Sequence, residues 1–295
     1  MTKRLTRFLV YPLAVSLPSL GLLIGTGTAH AGTTAHTDTA NAAVAGSTPV
    51  PAQAAAIAKA AIQHLLIGQH AVNQSTGPAL KLHGQTKTQS GNWSGYADTG
   101  SKFSKVSASW KEPTGSCGLG ISLAAFWVGI DGFNSSSVEQ DGTMIECYLG
   151  TEYQYSWWEM YPTNAVQTVG STVASGDSIT ASVARSGTGY KLSVTDSTHP
   201  ANSFSTTQSC SNCANTSAEW IAEAPSGTLG EYPLTNFGTW KASGAAVTEG
   251  SASGTISSFT DDQITMADAI GNVEAQPSPL NSSGNAFSVT WKSSL

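Results

Sequence analysis

Histidine is scarce where catalysis would need it. Of six in the 295-residue chain, His30, His36, His64, His70 and His83 precede residue 88, leaving only His199 after it. Serine and cysteine hydrolases need a positioned imidazole as base. His199, in Ser197-Thr198-His199-Pro200, reads instead as a turn residue. Zinc hydrolases draw on two or three imidazoles, and the sequence has no His-Glu-x-x-His. Charge is sparse too, at 11% of residues. Residues 88–295 carry seven basic side chains against eighteen acidic ones, a net of −11, with no Lys/Arg cluster. That balance excludes nucleic acid and anionic lipid as partners. No metal or cofactor is expected, so carboxylates and amides must carry any chemistry.

Long apolar runs are also missing beyond the first thirty residues. That first segment has the order of a secretory signal peptide: Lys3, Arg4 and Arg7, then apolar Phe8 to Ile24, then Ala29-His30-Ala31 as an A-x-A cleavage site. Pro12, Pro18 and the shortness of the run argue against a membrane anchor. The expected product is secreted and free of the membrane once residues 1–31 are removed.

Residues 32–87 differ in composition from the remainder of the chain. Ala52 to Leu66 carries Ile57, Ala61, Ile62, Leu65 and Leu66 at helical spacing, so a partly helical segment is expected. This piece is basic and precedes an acidic region, which favours a removable prosegment over a plain linker. Residues 88–295 then form one domain, expected to be a monomer. Helical periodicity disappears there. Short β-branched and aromatic runs alternate with Gly, Ser, Asn and Asp: Lys105–Trp110, Ala124–Ile130, Tyr153–Tyr161, Ser178–Ala184, Tyr190–Thr195, Ala218–Ala222, Ile256–Thr260 and Phe287–Trp291. An all-β antiparallel sandwich is the expected fold.

Only four cysteines are present. Export makes disulfides the default. Of three possible pairings, Cys117–Cys147 with Cys210–Cys213 is favoured. A four-cysteine zinc site is weaker, because only one tight Cys-x-x-Cys occurs. A redox role for Cys210-Ser211-Asn212-Cys213 is weaker still, because no βαβ pattern surrounds it.

Three acids are embedded in apolar or aromatic runs: Asp131 after Phe126–Ile130, Glu159 after Trp157-Trp158, and Glu219 in Ala218-Glu219-Trp220-Ile221. Partial desolvation would raise their pKa values and suit proton transfer. Asp98-Thr99-Gly100 matches the aspartic-protease signature, but such enzymes pair two aspartates. No second copy occurs in the chain, so the tripeptide reads mostly as a turn, with a homodimer that supplies the second aspartate as the lesser alternative.

Six blocks in order carry a family likeness: Asn92-Trp93-Ser94-Gly95, Trp127–Gly132, Gln140 before Gly142, Trp157–Pro162, Ser217–Ile221 and Asp262–Thr265. Over about residues 90–270 the chain resembles the eqolisins, the glutamic peptidases. The resemblance implies a concanavalin-like sandwich of two antiparallel sheets and an acid-acting endopeptidase for protein or peptide substrates. It places the catalytic pair on Glu219 and Gln140, and cleft residues on Trp93, Trp127, Asp131 and Glu159. Glu219 would be general base to a water, and Gln140 would stabilise the oxyanion. Glu139 and Asp141 depart from the family pattern, as do Met160 and Tyr155. Along an extended strand Glu139 and Asp141 point away from Gln140. Two other readings stay open: a glycoside hydrolase using Glu159 and Glu219, and a carbohydrate-binding module.

Overall fold

A computed structural model describes residues 73–74, 80–82, 85–227 and 230–294. The expected signal peptide and the helix expected over 52–66 lie outside the described residues. In chain order the strands are β1 (Leu80–Leu82), β2 (Gln85–Ser90), β3 (Trp93–Thr99), β4 (Phe103–Lys111), β5 (Ile121–Ile130) and β6 (Val138–Tyr148). They continue with β7 (Thr151–Tyr161), β8 (Asn164–Thr172), β9 (Ser178–Ser186), β10 (Gly189–Asp196), β11 (Phe204–Ser209) and β12 (Ser217–Glu223). Later strands include Thr239–Glu249, Thr260–Ala267, Val273–Pro277 and Phe287–Trp291. The fold is all-β. Among the described residues no helix is long and apolar enough to cross a membrane.

The pairings fall into two sets, an arrangement consistent with a β-sandwich. One runs β8-β7-β6-β5-β12-β3 and on to Thr260–Ala267, which also pairs with β2 in parallel. The other runs β11-β10-β9-β4. The long strand Thr239–Glu249 joins both: Thr239–Ala242 pairs with Phe287–Trp291, and Ser243–Glu249 with β4. The switch falls at an irregularity in register between Ser243 and Ala246, where Gly244 has φ 61°. A residue without Cβ takes that left-handed conformation at no steric cost, and the bulge turns the strand.

Side-chain alternation explains why the first set is buried on both faces. In β5, Ala124, Phe126, Val128 and Ile130 enter the main core, which they share with Val106, Val183 and Leu192 of the second set. Leu123, Ala125 and Trp127 point the other way, into a second cluster with Trp93, Tyr155, Trp157 and Ile221. Most expected runs lie within observed strands. Ile256–Ser258 is the exception: it forms a 3-10 turn, closed by reciprocal Thr255 and Ser258 capping bonds. Both favoured disulfides, Cys117–Cys147 and Cys210–Cys213, are present.

Several strands were hard to foresee because acids are buried in them. Glu139 and Asp141 alternate with Gln140 in β6 and face the main core, fully buried. Asp98 is no turn residue: it sits in β3 and is fully buried, on the face of Tyr96. Burial raises Asp98 to about 9, helped by negative Asp261 and Glu249. Burial likewise raises Glu139 to about 9 and Asp141 well above the ordinary range. It raises Glu112 to about 8, against hydrogen bonds from Thr143 and Trp110.

These shifts fix the sign of the pH dependence. A carboxyl that ionises near pH 4 when unfolded but near 8–9 when folded leaves stability intact below about pH 4. It withdraws that stability progressively as pH rises through about 8–9. Asp177 and Asp268 act oppositely. Burial pushes them up, but the Ala174 amide with the His199 and Asp196 side chains at Asp177, and the amides of Asn272, Ile270 and Gly271 with the Asn272 side chain at Asp268, lower both, so their contribution is lost only in stronger acid. The urea midpoint is therefore expected to peak near pH 4 and fall steadily toward pH 8. A midpoint that is flat or rising over that interval would contradict the assignment.

Candidate active site

The second face of the first strand set collects the chemistry. Registers run straight across four strands: Glu219 on β12 lies opposite Gly129 on β5, Gly129 opposite Gln140 on β6, and Gln140 opposite Glu159 on β7. Paired residues share a face, so Glu219, Gln140 and Glu159 project together. Glu219 and Gln140 are two strand spacings apart, roughly 10 Å at Cα. The residue between them is a glycine, so no side chain separates them. A Cβ at Gly129 would lie 2.9 Å from the Trp127 ring and 3.3 Å from Gln140 Cβ.

Glu219 is fully buried, and neither carboxyl oxygen has a hydrogen bond of normal geometry. Burial raises its pKa well above the ordinary value. Contacts from the Ser217 side chain and Phe133 backbone oppose the rise, while Asp131 and Glu139 add to it. Gln140 Nε2 donates to Glu159 Oε2 at 2.8 Å. A carboxylate oxygen can only accept, so this bond fixes which end of the amide faces Glu159. The second Nε2 hydrogen is then available to a substrate oxygen, and Gln140 Oε1 has no protein partner.

Trp93 and Trp127 wall the same face, edge to face with ring centroids 4.9 Å apart. Trp127 Nε1 donates to Glu223 Oε2 at 2.8 Å. Sequence reasoning passed over Glu223, although its spacing of four from Glu219 along one strand was a usable signal. Asp131 stands apart from the row. It ends β5 at φ 71°, just past the paired residues. Its carboxylate accepts from Asn215 N at 2.7 Å and Thr216 N at 2.8 Å. It thereby holds the chain that enters β12. Asp98 lies on the opposite face from Glu219, which removes it from this site. The rim carries residues from outside the sandwich sequence: Asn73 N donates to Gly132 O at 3.1 Å, and Gln74 N to Asn92 Oδ1 at 3.0 Å.

The Peptidase A4 family matches residues 91–288. The chain is 33% identical to scytalidopepsin B of Scytalidium lignicola over 158 residues, 52% of this chain and 59% of that protein. It is 30% identical to aspergillopepsin-2 of Aspergillus niger over 169 residues, 49% and 60% of the two chains. The chain thus spans about three fifths of the length of these curated relatives. A solved structure of scytalido-glutamic peptidase with a transition-state analogue inhibitor superposes with a TM-score of 0.59 at 25% identity. That match covers 68% of this chain and 98% of the other.

The glycine in the row gives a direct check. Gly129→Ala drives a methyl group into the Trp127 ring and against Gln140. Overpacking of this kind costs about 1–3 kcal/mol. Urea denaturation with tryptophan fluorescence should show that loss, together with a changed emission maximum. A variant as stable as the parent, with the same spectrum, would mean the row is looser than its registers indicate.

Proposed function

The chain belongs to the Peptidase A4 family, the glutamic peptidases, and from that premise we propose that it is a secreted, acid-acting endopeptidase working through Glu219 and Gln140. The observation that carries the proposal is the row itself. A carboxyl and an amide project from one tryptophan-walled face, with a glycine between them. In this reading Glu219, as carboxylate, takes a proton from a water whose oxygen attacks the peptide carbonyl carbon. The C–N bond then breaks, and Glu219 returns the proton to the departing amine. Gln140 donates its free N–H to the oxyanion, a contribution worth about 3–4 kcal/mol in comparable sites. Glu159 orients that amide, and Trp93 and Trp127 bind the peptide beside it. Asp131 contributes by holding the entry to β12.

The same geometry disfavours a glycoside hydrolase. Glu159 and Glu219 lie three strands apart on the row, separated by Gly129 and Gln140. Gln140 already occupies Glu159.

Residues 1–31 are proposed as the signal peptide and 32–87 as a prosegment that covers the site until it is cleaved. Full burial of Glu219, Gln140 and Glu159 supports a covered state, as do the bonds of Asn73 and Gln74 to the rim. Covering also explains the raised pKa of Glu219. Water entering an opened cleft restores the carboxylate range and with it the base. A concanavalin-like sandwich, acting as a monomer on protein or peptide substrates, completes the proposal.

Hydrolysis of a denatured protein at pH 3–4, with pepstatin present, tests it. Wild-type cleavage should persist, and Glu219→Gln should lose at least about 100-fold in kcat. Full inhibition by pepstatin, or an active Glu219→Gln enzyme, would overturn the mechanism.

A further inference from the structure

The Cys210–Cys213 disulfide closes a two-residue loop immediately before the Asn215–Thr216 segment. Both cysteines are half-buried, and they line a cavity of about 200 Å³ with Ser136, Ser209, Tyr161 and Thr163. Glu139 lines the same cavity. One of its carboxyl oxygens and both sulfurs lie within 4.8 Å of one another. Glu139 is fully buried, and neither of its oxygens has a hydrogen bond of normal geometry. The other disulfide is set deeper: Cys117 is half-buried, but Cys147 is fully buried in the main core.

We infer that Cys210–Cys213 is a thiol–disulfide exchange site for small-molecule thiols, with Glu139 as its proton donor. The cavity admits the thiol, whose own proton has gone to solvent. Its sulfur attacks one protein sulfur, the Cys210–Cys213 bond breaks, and a mixed disulfide forms. The displaced cysteine sulfur takes the proton of Glu139, leaving a carboxylate. A second thiol then attacks the mixed disulfide, releasing the oxidised small molecule and the second protein thiol. Two thiols are oxidised, the protein disulfide is reduced, and Glu139 regains its proton from water.

A departing cysteine thiolate has an ordinary pKa of about 8.5, and an acid held beside it can supply the proton it takes up. Burial, assisted by negative Asp131, raises Glu139 to about 9, while Ser137 and Arg185 oppose the rise. The acid therefore keeps its proton across the range in which a small thiol can attack. Fold is no obstacle to this chemistry. Exchange needs a reachable sulfur and a proton source, and the two coincide here without a βαβ frame. The inference does not depend on the peptidase reading.

The test treats the folded full-length protein with 2-mercaptoethanol at pH 6–8, alkylates it, and counts modified cysteines by mass spectrometry. Cys210 and Cys213 should be labelled at least about tenfold faster than Cys117 and Cys147. Glu139→Gln, which keeps the size and neutrality of the protonated acid, should slow that labelling about tenfold or more. Should that variant fail to fold, Ser209→Trp at the cavity rim must slow labelling by a similar factor with Glu139 intact. Equal rates at the two disulfides, or unchanged labelling in whichever of these variants folds, would overturn the inference.

Discussion

The pairing register of β5 with β12 and β6 is the constraint that the site depends on. It sets Glu219 and Gln140 on either side of Gly129. Side chains alternate along a strand, so a slip of one residue would send Gln140 into the main core and bring Glu139 or Asp141 to the cleft face. The register is held from both sides. Phe126, Val128 and Ile130 fill one face of β5, and Leu123 and Trp127 fill the other. A strand with two buried faces has no alternative face to present. The site gains its precision from packing, before any polar contact is made.

The same packing explains the unusual electrostatics. A chain with few histidines and few bases cannot neutralise buried acids by pairing. Burial raises Asp98, Glu139 and Asp141 well above the ordinary carboxylate range, and at Glu139 the nearby Arg185 only partly offsets it. Such burial costs little in acid and becomes expensive as pH rises. Low charge also limits repulsion once the carboxylates are neutral, because only seven basic side chains and one histidine follow residue 87. Scarcity of histidine thus fits the proposed working in acid. In the proposed mechanism, catalysis falls to a carboxyl and an amide, neither of which needs a neutral medium.

Strands with apolar alternation were legible in the sequence. β5 and β10 fall where Ala124–Ile130 and Tyr190–Thr195 said they would. β6 was not legible, because Glu139, Asp141 and Glu146 interrupt its apolar pattern while being buried. Asp98 misled for the same reason: a buried, protonated aspartate has the sequence signature of a turn. Cysteine spacing carried the disulfides. The acids of the site stood out by their aromatic neighbours, but the Gln140 position was visible only through family resemblance, since an isolated glutamine has no local signature. Glu223 and the holding role of Asp131 needed the structure, because both depend on which strand lies alongside.

Coupling between Glu219 and Gln140 is the most direct measure of whether the register builds one site. A double-mutant cycle with Glu219→Gln and Gln140→Ala, read as kcat/KM on a peptide substrate near pH 4, isolates that coupling. Residues acting as a unit lose function together, so the double variant should be scarcely less active than the worse of the two single ones. Losses that simply multiply would show that the two side chains act independently, and would contradict a shared site across Gly129.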